Sequence, residues 1–288
     1  QPLLWGHALI NPKDIPFLVF FIGSMYFGFE LVDEISQIGK SKFTTMFAAS
    51  FFLGIATSIR VLGPLAAILA GLYAVSQLNK IKFVDLLKQF AIYALLTLIF
   101  AFIAWPYLWT NPLQKFIEVF GFMSDNPTQL TVLFMGQQYK ADELPRRYLP
   151  VLLGYTLTEP TWLLFATGLV ISLWKSNTQK KIALVITLLW FVIPAAYVIL
   201  RQPPMYDGFR HFLFILPPVF IFAGFAFEEI FNMLKQKWIG YLVTATILLA
   251  GIIPAIQLHP YEYAYYNAFI GGTEGAFREY ETEYWLTC

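Results

Sequence analysis

Eight stretches of this chain are apolar for long enough to cross a lipid bilayer, or nearly so: residues 15–33, 44–59, 62–79, 89–106, 160–174, 182–200, 211–230 and 238–257. A membrane-spanning helix needs about 20 consecutive apolar residues, because each residue advances it by roughly 1.5 Å through a hydrocarbon layer of roughly 30 Å. Charged residues make up 13% of the chain, against roughly 25% in soluble domains. Too little charge is present to cover the outside of a soluble fold of 288 residues. The same apolar content excludes a disordered chain. The expected class is an all-α polytopic membrane bundle of about eight spans, read as one transmembrane domain over 1–288. Stretch 44–59 is short. Only Ile59-Arg60-Val61 separates it from the next stretch, so the two read as full crossings or as a tight or re-entrant hairpin.

The basic residues separate by type. With eight spans, the loops 34–43, 80–88, 175–181 and 231–237 share one side and hold ten lysines, Lys235 among them. The positive-inside rule makes that side cytoplasmic and puts both ends of the segment outside. All six arginines (Arg60, Arg146, Arg147, Arg201, Arg210 and Arg278) fall on the other face, as do His7, His211 and His259. The net charge of +1 argues against a nucleic-acid partner and hides a lysine-rich face set against one rich in arginine and carboxylate. A single cysteine, Cys288, excludes an internal disulfide. No signal peptide is visible, and a chain that starts at Gln1 reads as part of a longer protein.

Chemistry is expected on the arginine face, in segments 1–14, 107–159, 201–210 and 258–288. Residues 111–124 place Leu113, Phe116, Ile117, Phe120 and Met123 at helical spacing, as in an amphipathic helix lying on the membrane. Residues 144–157 read as a second interfacial element. Four polar clusters stand out. Asp14 heads the first span beside Lys13, where it suits an N-cap or a role in positioning a metal or an acceptor. Asp207, Arg210 and His211 crowd the mouth of an apolar helix. They form either a local ion pair with snorkelling side chains or a phosphate contact, to which the guanidinium fork is matched. Arg146, Arg147 and Tyr148 suit lipid headgroups in general or one lipid phosphate. The tail from His259 through Tyr261 and Glu262, then Glu279-Tyr280-Glu281 to Tyr284 and Trp285, suits a membrane-surface aromatic belt or a carbohydrate site. The chain has no Gly-rich phosphate loop, no HExxH, no Cys/His metal pattern and no GxSxG.

The ordered set NPKDIPF at 11–17, WPYLWTNP at 105–112, LPRRYLP at 144–150, YDGFRHFLFILPP at 206–218 and HPYEYAYYN…GG…YETEYW at 259–285 resembles the bacterial glycosyltransferase family 39-like group. These are membrane glycosyltransferases of the GT-C superfamily, similar to protein O-mannosyltransferases. The resemblance covers the C-terminal two-thirds of such enzymes, without the N-terminal spans and the first outer loop that carries their main base. It implies transfer of a sugar from a polyprenyl-phosphate donor to a hydroxyl of a protein or glycan acceptor, on the outer face of the cytoplasmic membrane. Asp14 would be the second acidic residue of the site. Arg210, His211, Arg146, Arg147 and Tyr148 would bind donor phosphate, and Lys13, Asp207, His259, Tyr261 and Glu262 would serve acceptor or sugar. A divalent cation is the one cofactor this reading admits. Two further classes stay open: a lipid or solute transporter or flippase, against which the near-absence of acidic residues inside the spans counts, and a non-catalytic scaffold.

Overall fold

A computed structural model describes residues 1–124, 130–234 and 236–283. Lys235, Tyr284, Trp285 and Cys288, and the side chains of Phe120 and Met123, lie outside the described residues. In chain order the elements are α1 (Pro2–Ile10), α2 (Asp14–Ile38), α3 (Phe43–Ile59), α4 (Pro64–Ser76), α5 (Phe83–Ala104), α6 (Pro112–Ser124), β1 (Thr131–Phe134), β2 (Gln137–Lys140), α7 (Tyr148–Thr156), α8 (Pro160–Lys175), α9 (Thr178–Arg201), α10 (Leu216–Met233), α11 (Lys237–Leu258) and α12 (Gly272–Ala276). The chain divides into two compact units, one of Gln1–Pro12 with Thr128–Cys288 and one of Lys13–Pro127.

Every one of the eight apolar stretches is helical, but not all are long enough to cross a membrane. Among the described residues five helices are, counting Arg210–Met233 as one with its opening 3₁₀ turn. A sixth crossing requires α7 and α8 to act together, and they meet at 104°. The expected count of eight is not reached by helix length among the described residues: α3 and α4 have 17 and 13 residues, and 13 residues rise only about 20 Å. The multi-pass membrane character rests on exposure as well as length. Leu242, Leu248, Leu249, Ile252, Ile253 and Ile256 of α11 are all exposed. A helix this apolar and this uncovered is stable against lipid and not against water.

In the unit Lys13–Pro127, α2 buries Phe17, Phe21, Met25, Leu31, Val32 and Ile35 at spacings of three to seven residues, the stripe a helix presents to its neighbours. It packs on α3 and α4, and α3 packs on α5. The tight α2–α3 turn is closed by Glu34. Its carboxylate accepts the Lys42 backbone N–H at 2.7 Å and the Thr45 hydroxyl at 3.0 Å, satisfying donors that the start of a helix leaves open. Residues 112–124 form the expected helix, with Leu113, Phe116, Ile117 and Phe122 exposed.

In the other unit α8 lies along α10. The sequence reading has no counterpart for β1 and β2, an antiparallel hairpin pairing Thr131 with Lys140 and Phe134 with Gln137. Its turn puts Met135 and Gly136 at positive φ. Methionine is a rare choice there, so the usual Asn-Gly or Asp-Gly signal is missing. Tyr280 bridges to Phe134, and its ring packs among Phe134, Tyr155 and Tyr266. The tail is thereby folded back onto the body of the unit.

Asn267 is the second anchor of the tail. Its side-chain amide donates to the Gly154 and Leu157 carbonyls at 2.7 and 2.8 Å, and its carbonyl oxygen accepts from the Phe269 N–H at 3.1 Å. The residue is buried, so removing the side chain strands the orphan carbonyls at the end of α7. Asn267→Ala is expected to lower stability by about 2–4 kcal/mol, counting about 1–3 kcal/mol for each buried group left unpaired. Thermal unfolding in one fixed detergent measures it. A midpoint unchanged within error would mean that the clamp contributes nothing.

Candidate functional site

A polar cleft lined by two of the sequence-predicted site residues, Asp207 and Arg210, lies within the unit of Gln1–Pro12 and Thr128–Cys288. It encloses about 460 Å³ including its open mouth. Four parts of the chain line it: Leu3 and His7 of α1, Leu152 and Thr156 of α7, Asp207 to Arg210 with Leu213, and the tail residues Tyr263, Tyr265, Tyr266 and Glu281 to Glu283. The segment after α9 is held by backbone and side-chain bonds. Gln202 donates to the Leu144 carbonyl at 2.7 Å, and the Met205 N–H to the Ala141 carbonyl at 3.1 Å.

Arg210 is buried, and its guanidinium pairs with Asp207 at 3.1 Å while lying over the Tyr206 ring at 4.9 Å. The same ring meets His211 edge-on at 4.8 Å. Burial raises the Asp207 carboxyl above the usual range, and Arg210 offsets this in part. His7 is buried in α1. Desolvation, with the Arg210 charge second, pushes it down to about 4, so the ring is neutral at pH 7. The Asn11 side-chain amide stands 3.4 Å from His7 Nδ1. An amide N–H only donates, which leaves Nδ1 as acceptor and Nε2 as the ring's donor.

Glu281 belongs to the tail cluster, to which the sequence assigns no individual role. It sits in the run Glu279-Tyr280-Glu281, which as sequence reads equally as a surface anchor. The tertiary structure decides the matter: Tyr280 enters the aromatic cluster and Glu281 lines the cleft. Its Oε2 accepts the Gly208 N–H at 3.0 Å and faces the Tyr148 hydroxyl at 3.5 Å. Burial raises its carboxyl to about 7, with the nearby Asp207 adding to the rise and the Gly208 N–H, Tyr148 and Arg210 opposing it. His7, one histidine in a short apolar helix, carries no pattern of its own in the sequence.

The remaining expected residues are not among those that line this cleft. Arg146 and Arg147 are exposed at the start of α7. His259 Nδ1 lies 2.8 Å from Oε1 of the buried Glu262, next to an exposed Tyr261; none of the three lines the cleft. Asp14 belongs to the other unit, where it is buried and ion-paired to Arg60. It is the first residue of α2 and not its N-cap: Lys13, which is exposed, occupies that position. Among the described residues no group of three His, Cys, Asp or Glu side chains converges as a metal site. Comparisons with protein-family models, with curated proteins and with solved structures find no match for this chain.

Proposed function

We propose that the protein is a GT-C-like membrane glycosyltransferase that moves a sugar from a polyprenyl-phosphate donor to an acceptor hydroxyl on the outer face of the cytoplasmic membrane. The observation that carries this reading is the buried Arg210 guanidinium in a cleft that also holds a part-buried carboxylate. A cation fixed in a low-dielectric site stabilises a phosphate as it departs, where the same charge in water would do little. The chain order supports the location. The cleft lies where α9 ends, α10 begins and the tail follows α11, whereas Lys175, Lys180 and Lys237 lie at the opposite ends of those helices and of α8.

In this reading Arg210 holds the donor phosphate, and His211 and Tyr206 keep its guanidinium in place. Exposed Arg146 and Arg147 meet headgroup phosphates nearby, and Tyr148 orients Glu281. Asp207 lies on the sugar side. His259, Glu262 and Tyr261 form a separate polar surface suited to an acceptor chain.

The test is an assay of the purified protein with a short-chain polyprenyl-phosphate hexose and a hydroxyl acceptor. Transfer, seen as a glycosylated product together with free polyprenyl phosphate, is expected. Movement of the lipid or solute across proteoliposomes with no covalent change would replace this reading with a transporter.

A further inference from the structure

We infer that a second pocket, between the end of α11 and the tail, binds a neutral saccharide that carries the acceptor hydroxyl. The inference rests on the transferase reading above and names the class of acceptor.

The pocket lies in the same unit as the cleft and encloses about 890 Å³ including its open mouth, within the size of small-molecule sites. Glu159 at the head of α8, Pro254, Gln257 and Leu258 of α11, and Thr273 with Glu274 of the tail line it. Tyr265 and Tyr266 line both this pocket and the cleft. A molecule seated here is therefore separated from Arg210 and Asp207 only by residues that the two spaces share.

Three observations carry the inference. First, the lining has the chemistry of a polyhydroxylated ligand and not of an anion. Two carboxylates and a carboxamide accept hydrogen bonds from hydroxyls, and the carboxamide also donates. No lysine, arginine or histidine lines the pocket, so a phosphate would meet two negative charges and no positive one. Pro254 and Leu258 add an apolar wall, which suits the C–H face of a sugar ring. Burial, with the Glu159 charge second, raises the Tyr265 hydroxyl above its usual range, so it stays protonated and able to donate. A peptide bound in extended form would pair with a sheet edge, and none of the lining residues belongs to a strand.

Secondly, the polar groups are available. Glu159 accepts the Ala268 N–H at 2.8 Å through Oε1 alone. Among the described residues its Oε2, the Gln257 amide and the Glu274 carboxylate have no hydrogen-bond partner. Thirdly, the tail wall is rigid before anything binds. Asn267 clamps it to α7, the Gly272 N–H donates to the Asn267 carbonyl at 2.9 Å, and the Thr273 hydroxyl donates to the Ala264 carbonyl at 3.1 Å. Gly271 and Gly272 both have positive φ, 86° and 71°, a conformation in which glycine is unstrained. A wall ordered in advance removes part of the entropy cost of binding.

The purified full chain in detergent is titrated with neutral trisaccharides (maltotriose, cellotriose and mannotriose), with a serine- and threonine-rich peptide and with inorganic phosphate, and binding is read by saturation-transfer NMR. At least one trisaccharide is expected to bind with a Kd of about 1 mM or tighter, and phosphate is not expected to compete with it. Gln257→Ala combined with Glu274→Gln is expected to weaken it about tenfold or more, the loss of one or two hydrogen bonds. In the transfer assay the same variant should raise acceptor KM with kcat and donor KM unchanged, the mark of binding lost equally from ground and transition states. Both side chains are exposed, so its melting temperature should match the wild type. No trisaccharide bound at about 20 mM, or binding unchanged in the variant, overturns the inference; so does a peptide that binds and accepts sugar where no trisaccharide does, and in that case the transferase reading stands. A trisaccharide that binds in a variant-sensitive way while no sugar is ever transferred removes the transferase reading and the acceptor role with it.

Discussion

Arg210→Ala is expected to reduce sugar transfer by about 10²–10³-fold, the loss that follows when one preorganised donor to a developing anion is removed. The effect should fall mainly on kcat, because the phosphate carries more charge on leaving than when bound to the sugar. Arg210→Lys should recover only part of it: an ammonium supplies the charge without the planar fork and cannot reproduce both the Asp207 pair and a bidentate phosphate contact. The alanine variant also leaves Asp207 part-buried without its cation, and stranding a partner in this way costs about 3–5 kcal/mol where burial is complete. Asp207→Asn is the control. It removes the same ion pair and retains the guanidinium. Comparing the two single variants with the double variant separates the phosphate term from the ion-pair term. Equal losses in Arg210→Ala and Asp207→Asn, with no further loss when combined, would assign Arg210 to structure alone.

The largest expected effect on stability lies at a residue that does not line the cleft, Gly168 in the middle of α8. A side chain there would run into the backbone carbonyl of Phe222 on α10 and crowd the amide of Ala226 at 3.1 Å. The obstacle is main chain, which cannot rotate aside, so the two helices must separate. Inside a membrane, helices associate through close packing more than through exclusion of water, and losing the close approach removes most of what joins them. Gly168→Leu is expected to cost more than about 3 kcal/mol, beyond the usual range of overpacking, and to lower the yield of folded protein. Gly224→Ala is the matched control. It also lies in α10, but nothing stands within 4 Å of its added methyl, and alanine favours a helix by about 1 kcal/mol over glycine. Thermal unfolding of both variants in one detergent measures the difference. Gly168→Leu melting with the wild type would show that α8 and α10 do not rely on this contact.

The two variants mark different kinds of legibility. Arg210 is visible in the sequence because an arginine beside an aspartate and a histidine at the mouth of an apolar run is costly to place there and needs a reason. Gly168 is not visible: glycine is common in membrane helices, and Gly224 and Gly168 look alike until their neighbours are known. Asp14 falls between. Its place at the head of a helix is plain from the proline and the apolar run that follow, and the sequence suggests a cap. Arg60, 46 residues away, engages its carboxylate instead.

The sequence by itself determined the environment of this protein. Hydrophobicity is a sum over residues, and runs of about 20 apolar residues partition into lipid whatever their tertiary contacts. It also determined where helices form, since an apolar stretch in lipid must satisfy its own backbone. Tertiary structure decided which of those helices are long enough to cross. It alone turned Tyr280 into an aromatic cluster and Glu281 into a cleft, beside an amide supplied by Gly208, 73 residues earlier in the chain. A carboxylate's protonation depends on the surfaces and charges packed against it, and those arrive from segments that share no local pattern.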